Sequence, residues 1–362
     1  MRDTGTADTV QGRSAVRAYI GSFTSAGGRG VLAADVDEET GALTVTGGSD
    51  AVADPSFLAL AGPVLHAVSE TDAGAVAAFD VTGPAPRPLG APVPVEGAAP
   101  THLAVTAGHL LTANYASGSV TALPLAEDGT ARPATTVLRH EGAGPVAARQ
   151  AAPHAHQVLP DPGGRWVVSV DLGTDSVRIC ALDPATGALT LHGETALRPG
   201  TGPRHLAFHP AGTHAYVLNE LEPTLTVCRW DAAAGVLEPL DEAPVVPDLV
   251  PDLVPEEATG AAYPSEVVVA PDGRFLWAAV RGTDTIAVLA LDADGIGASL
   301  AATVPCGGSW PRDLTLAPSG RHLYAANERS GDVTWFTLDP VTGIPSRAGS
   351  IEAPAASCVV FG

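Results

Sequence analysis

Lysine is absent from this sequence. Its 19 basic side chains are all arginine, set against 40 Asp and Glu. We read no function from the missing lysine. The net charge of −21, however, argues against nucleic acid or an anionic membrane as the main partner. It also repels anionic ligands at long range, so any anion site must be a local cluster of Arg and His. There are four cysteines, Cys180, Cys228, Cys306 and Cys358, and no Cys-x-x-Cys pair. That spacing argues against a zinc site and reads as four small buried hydrophobes in a reducing compartment. No apolar run is long enough to cross a membrane, and the opening MRDTGTADTVQGRSAV lacks the apolar segment of a secretion signal. The reading is a cytoplasmic protein with a flexible polar leader over residues 1–15 and a single domain over residues 16–362. No phosphate-binding loop, dinucleotide fingerprint or Gly-x-Ser-x-Gly elbow occurs, and no cofactor is expected.

Glycine (40) and proline (32), by contrast, are plentiful, which suits many short strands joined by turns. They are organised in a repeat. A proline, a polar residue and an alternating apolar run recur as PSFLAL at Pro55, PTHLAV at Pro100, PHAHQV at Pro153 and PRHLAF at Pro203. The same unit returns as PSEVVV at Pro264, PRDLTL at Pro311 and PAASCVV at Pro354. Each full unit continues with a turn (HPAGTH, APDGRF, APSGRH), a second apolar strand, a tight turn and a third strand; DPATGALT or DPVTGIP leads into a fourth. The longest interval holds VPDLVPDLVPEEATG, which reads as a surface loop insertion. Four antiparallel strands per unit, repeated around a ring, make an all-β propeller. The N-terminal RAYIGSFT, RGVLAADVD and GALTVTGG lack a first strand, and the C-terminal PAASCVVFG is a first strand alone. Joined, they complete one blade, so the expected fold is a seven-bladed propeller without free sheet edges.

Aligning the units on their proline gives two comparisons. The position after it reads Ser56, Thr101, His154, Arg204, Ser265, Arg312 and Ala355; the third reads Leu58, Leu103, His156, Leu206, Val267, Leu314 and Ser357. The ends of the second strands read Ser22, Glu70, Tyr115, Asp171, Glu220, Arg281 and Glu328, polar throughout. Antiparallel pairing sets the end of the second strand beside the start of the first, so both rings are expected at one mouth of the central channel, facing solvent-filled space. The catalytic candidates are His154, Arg204 and Glu220. The substrate-binding candidates are Arg281, His156, His205, Asp171, Glu266 and Arg312. Strand-end ion pairing is the competing reading for Asp171, Arg312, Glu70 and Glu328, and a satisfied core histidine is the competing reading for His156. His154 and His156, two apart on a strand, share a face and could hold a metal completed by Asp171 or Glu220. No third ligand has a fixed spacing, so no metal is assigned.

The stretches APHAHQVLPDPGGRWVVSVDLGTDSV, GTGPRHLAFHPAGTHAYVLNEL, SEVVVAPDGRFLWAAVRGTDTI and WPRDLTLAPSGRHLYAANERSGDV resemble the propeller lactonases, which include the 6-phosphogluconolactonase type and related fungal carboxymuconate cyclases. The resemblance runs over nearly the whole chain. It implies a seven-bladed propeller with its active site at one channel mouth and functional groups at His154 or His156, Arg204, Glu220 and Arg281. Glu328 stands where the family pattern leads one to expect a neutral Gln, adding negative charge at an anion site. The implied activity is hydrolysis of a sugar-acid lactone such as 6-phosphogluconolactone, by a monomer or weak homo-oligomer acting on a small anionic or sugar-lactone substrate. A muconate-type cycloisomerase and a non-catalytic binding scaffold are the alternatives.

Overall fold

The alternating runs of each repeat fold as short strands paired antiparallel and stacked from the channel outward. The computed structural model describes residues 16–247 and 261–362. The polar leader at 1–15 and most of the tandem-loop stretch therefore lie outside the described residues. Among the described residues there are seven sheets, and in six of them four antiparallel strands follow one another from the inside out. In blade 5, for example, these are Pro203–Phe208, His214–Asn219, Thr224–Asp231 and Val236–Pro244. Blade 2 differs at its rim. Its outer position is divided between Arg87–Pro88 and Val93–Pro94, both paired with Ala75–Asp80. Prolines in both pieces remove ladder donors, and at an outer edge this is tolerated.

Blade 1 is closed by the two ends of the described chain. Ala356–Phe361 is its innermost strand and pairs antiparallel with Arg17–Ser22, Ala18 opposite Phe361 and Ser22 opposite Ala356. Arg17 and Gly362 exchange backbone hydrogen bonds of 2.9 and 3.0 Å beyond the last pair.

The core is distributed around the ring. Each of seven apolar clusters joins two neighbouring blades; one packs Tyr216, Leu218 and Val227 of blade 5 on Leu276, Val280 and Leu289 of blade 6. Aromatic side chains also bond across these seams. Tyr216 Oη donates to the Gly295 carbonyl at 3.0 Å, Tyr324 Oη to Gly41 at 2.7 Å and Trp277 Nε1 to Gly343 at 2.8 Å. The acceptor glycines close tight turns with φ of 76°, 75° and 69°, a left-handed conformation that residues with a Cβ resist. All four cysteines are free and buried.

His66, on the second strand of blade 2, is 1% exposed, and neither ring nitrogen has a partner. Burial pushes its pKa down from 6.5 to about 4. The unfolded chain takes up this proton below pH 6.5 while the fold does not, so stability is lost as pH falls from 6.5 to 4 and is constant below that. We expect His66→Phe to remove a slope of about 3 kcal/mol over that interval. Denaturant melts of both proteins at the two ends of the interval provide the check, and parallel slopes would refute it.

Candidate active site

The consecutive residues Arg204 and His205 both reach one cavity because the inner strand bulges between them. Pro203 lies opposite Asn219 but His205 lies opposite Leu218, leaving Arg204 as the extra residue. A bulge sets two residues against one and turns successive side chains toward the same space. The same irregularity occurs at Thr101, His156, Arg312 and Ser357, and in the Ser265–Glu266 pair. In blade 2, Ser56 precedes the paired strand and bonds its hydroxyl to Glu70. The result is a cavity of about 380 Å³ with walls from all seven blades.

The electrostatic hub of the cavity is Glu220. Its Oε1 lies 2.6 Å from Arg149 Nη2, and its Oε2 lies 2.8 Å from Arg281 Nη2 and 3.2 Å from Arg204 Nε. The last contact lacks the alignment of a hydrogen bond. Burial pushes the Glu220 carboxyl up, but Arg281, Arg204 and Arg149 outweigh it and hold it at about 2. Arg204 is buried beside Arg281, and these two effects bring its guanidinium down to about 9, still cationic at neutral pH. It donates Nη1 to the Ser265 carbonyl. Arg281 also donates to the carbonyls of Tyr263 and Pro264, at 3.2 and 3.3 Å. Arg312 pairs with Glu328 and lies over the Phe23 ring, 4.9 Å from its centroid. In an acidic chain, four guanidiniums thus converge on one cavity, the local arginine cluster that the net charge demanded.

On the same cavity wall, His205 Nδ1 lies 2.6 Å from Glu266 Oε2. Burial, reinforced by Arg204 and Arg281, keeps this imidazole neutral, so the contact is an N–H donated to a carboxylate rather than an ion pair. Burial drives Glu266 up to about 7, against the pull of Arg204, and Asp313 is driven well above the carboxylate range by burial and by Glu266. His156 lines the cavity, and burial and Arg204 keep it neutral.

Seven of the nine candidates, His156, Arg204, His205, Glu220, Glu266, Arg281 and Arg312, are brought together on this wall. His154 and Asp171 are not. Ala155, not Pro153, lies opposite Asp171 in blade 4, so the bulged residue equivalent to Arg204 is His156. His154 is two positions early: it stacks on Tyr115 at 4.3 Å and its Nδ1 contacts the Tyr115 carbonyl. Asp171 is the counterpart of Asn219, one residue short of the cavity ring. It is fully buried, with His140 Nδ1 at 2.6 Å and Arg178 Nη1 at 3.1 Å. His154 therefore lies just before the paired strand while His156 occupies its bulge, and both rings pack against Tyr115. Arg204 and Glu220 also depart from the expected open funnel, being 5% and 4% exposed.

Sequence reasoning missed Arg149, which comes from the loop before blade 4 rather than from the repeat. It also missed Tyr263, which opens the inner strand of blade 6, Trp310, which precedes that of blade 7, and Asp313, which follows Arg312 as His205 follows Arg204. Only Asp313 had a readable signal, its place in the repeat.

Residues 17–361 match the family described as "Lactonase, 7-bladed beta-propeller". The chain belongs to this propeller lactonase family. It is 31% identical over 351 residues to the 6-phosphogluconolactonase of Bacillus subtilis, an alignment covering 95% of this chain and 97% of that protein. The periplasmic gluconolactonase of Pseudomonas aeruginosa superposes with a TM-score of 0.84 at 25% identity, over 96% of this chain and 99% of that one. A protein from Lactobacillus plantarum superposes with a TM-score of 0.88 at 27% identity, over 96% and 100%. Membership makes the chain an enzyme of the lactonase type, and the scaffold alternative falls. Among the described residues, no helix of this lactonase is long and apolar enough to cross a membrane.

Proposed function

We propose that the arginine-lined cavity binds and hydrolyses a sugar-acid lactone, with 6-phosphogluconolactone, the substrate in the name of the Bacillus relative, as the leading candidate. The observation that carries this reading is the clamp of Arg149, Arg204 and Arg281 on Glu220. A lactone carbonyl becomes an oxyanion when water attacks it, and preformed donors in a dry site stabilise that charge best. Glu220, ionised down to about 2, is too weak a base to activate water at neutral pH; it holds the guanidiniums in place. The donors of Arg204 and Arg281 not engaged by Glu220 and the backbone carbonyls face the developing oxyanion. Half-buried Arg149 and Arg312 receive an anionic substituent through charge-assisted hydrogen bonds. The four free, buried cysteines support a cytoplasmic location, unlike that of the Pseudomonas relative.

The test is turnover of 6-phosphogluconolactone, gluconolactone and carboxymuconate by the purified protein. Lactone opening is expected. Arg281→Lys should lower kcat/KM by about 10²–10³, because an ammonium cannot copy a planar fork and one oxyanion donor is lost. Cyclisation of the muconate without hydrolysis of either lactone would transfer the site to the cycloisomerase reading.

A further inference from the structure

Among the carboxyl groups on the cavity wall, Glu220 is held in ion pairs with arginine, and Glu70 bonds the Ser56 hydroxyl. Glu266 is held differently. Its Oε2 takes the His205 Nδ1–H at 2.6 Å, its Oε1 takes the Val267 backbone N–H at 3.0 Å, and the Asp313 carboxyl faces it as a hydrogen-bond partner. Two carboxyls can bond only by sharing a proton, so one of this pair is neutral at any pH where the contact exists. Asp313 Oδ2 accepts from the Val359 N–H at 2.7 Å and from the Thr315 hydroxyl at 3.3 Å.

We infer that Glu266 is the general base of this lactonase, drawing the proton from the attacking water, with His205 and Asp313 as its positioning residues. The inference rests on the lactone-hydrolysis reading and assigns the proton transfer that reading leaves open. Three donors aim the Glu266 carboxylate: the imidazole N–H, the Val267 amide and the Asp313 carboxyl O–H. The titratable and charged groups around it are Arg204 and His205 of blade 5, Asp313 of blade 7 and, past Asp313, the Cys358 thiol of blade 1; Arg281 and Glu220 line the same cavity. Burial lifts Glu266 to about 7, the range in which a base is both deprotonated and strong enough at neutral pH.

The step balances. Glu266 takes a proton from water as the water oxygen bonds to the carbonyl carbon, and the oxyanion forms against Arg204 and Arg281. The bond from that carbon to the ring oxygen then breaks, and Glu266 returns the proton to the departing oxygen. The product is a hydroxy acid, whose new carboxyl releases its proton to solvent.

The experiment is kcat/KM against pH, from about pH 5 to 8, for the wild type, Glu266→Gln, Asp313→Asn, Asp313→Leu and Glu220→Gln, on the lactone the wild type opens. Melting curves serve as the folding control. Wild-type activity should fall as pH drops below about 7, where Glu266 gains its proton. Glu266→Gln should lose about 10²–10⁴ in rate together with that acid limb. Asp313→Asn, which keeps an N–H donor toward Glu266, should retain most of the rate. Asp313→Leu should lose rate and move the limb. Glu220→Gln should be slow yet keep the limb. A folded Glu266→Gln with wild-type rate and limb overturns the inference alone. Should Glu266→Gln not fold, the Asp313 pair decides: two wild-type profiles overturn it, and the split described supports it. A wild type inert on every lactone removes the reading beneath the inference, and the inference with it.

Discussion

Removal of residues 354–362 should unfold the whole ring, not one blade. Ala356–Phe361 is the innermost strand of blade 1 and serves two seams. Ala356 and Val359 pack with Tyr324 and Val333 of blade 7, while Cys358 packs with Leu58 and Leu65 of blade 2. The strand also bonds to blade 7, its Val359 N–H reaching Asp313 at 2.7 Å and its Val359 carbonyl accepting from the Thr315 hydroxyl at 2.7 Å. Without it, Arg17–Ser22 becomes an open edge, ready to pair with another chain. The loss should approach the roughly 5–15 kcal/mol that holds a typical domain together, and the truncated protein should aggregate. Thermal melts and size-exclusion chromatography give the check; a truncated protein that melts with the wild type would refute a closed ring.

The second large effect concerns Glu220→Ala. The sequence reading put Glu220 in solvent-filled space, and a side chain in such a place can be removed with little loss of stability. Burial reverses that expectation. Removing the carboxylate leaves Arg204 and Arg281 as buried like charges, a change that costs roughly 3–5 kcal/mol. Activity should fall by at least about 10²-fold, because the guanidiniums that face the oxyanion lose their common anchor. The acid dependence should change too. Glu220 is held at about 2, below its ordinary 4.5, so its contribution is present above pH 4.5 and lost as pH falls toward 2. The variant should lack that part of the acid slope. Urea melts and lactone kinetics on one preparation decide the matter: lost activity at an unchanged midpoint would make Glu220 a catalytic group without a structural role.

Much of the site was legible because a propeller is a repeat. Arg204, Glu220, Arg281 and Arg312 stand at positions where a polar residue interrupts an otherwise apolar pattern, and repeat symmetry carries such positions to one axis. His205 and Glu266 were visible only as neighbours of those positions. In an unbroken strand, adjacent side chains point to opposite faces, and nothing in PRHLAF or PSEVVV marks the extra residue that turns both inward. The same blindness misplaced His154. In blade 4 the proline stands two residues farther from the bulge than in blade 5, so alignment on proline set His154, not His156, in register with Arg204.

The sequence by itself determined the strand periodicity, the number of units and the closure of blade 1 by both ends of the described chain, because these depend on alternation and turn residues read locally. Only the tertiary structure decided which polar residues meet. Arg149 arrives from a loop outside the repeat to reach Glu220, 71 residues away in sequence, and Glu266 bonds His205 from the neighbouring blade, 61 residues away. Such contacts are made across seams, where the approach of two blades sets distance and burial. Burial pushes both carboxyls up, and the neighbours decide the outcome: the guanidiniums keep Glu220 ionised, while Glu266 adds to the burial that keeps the proton on Asp313.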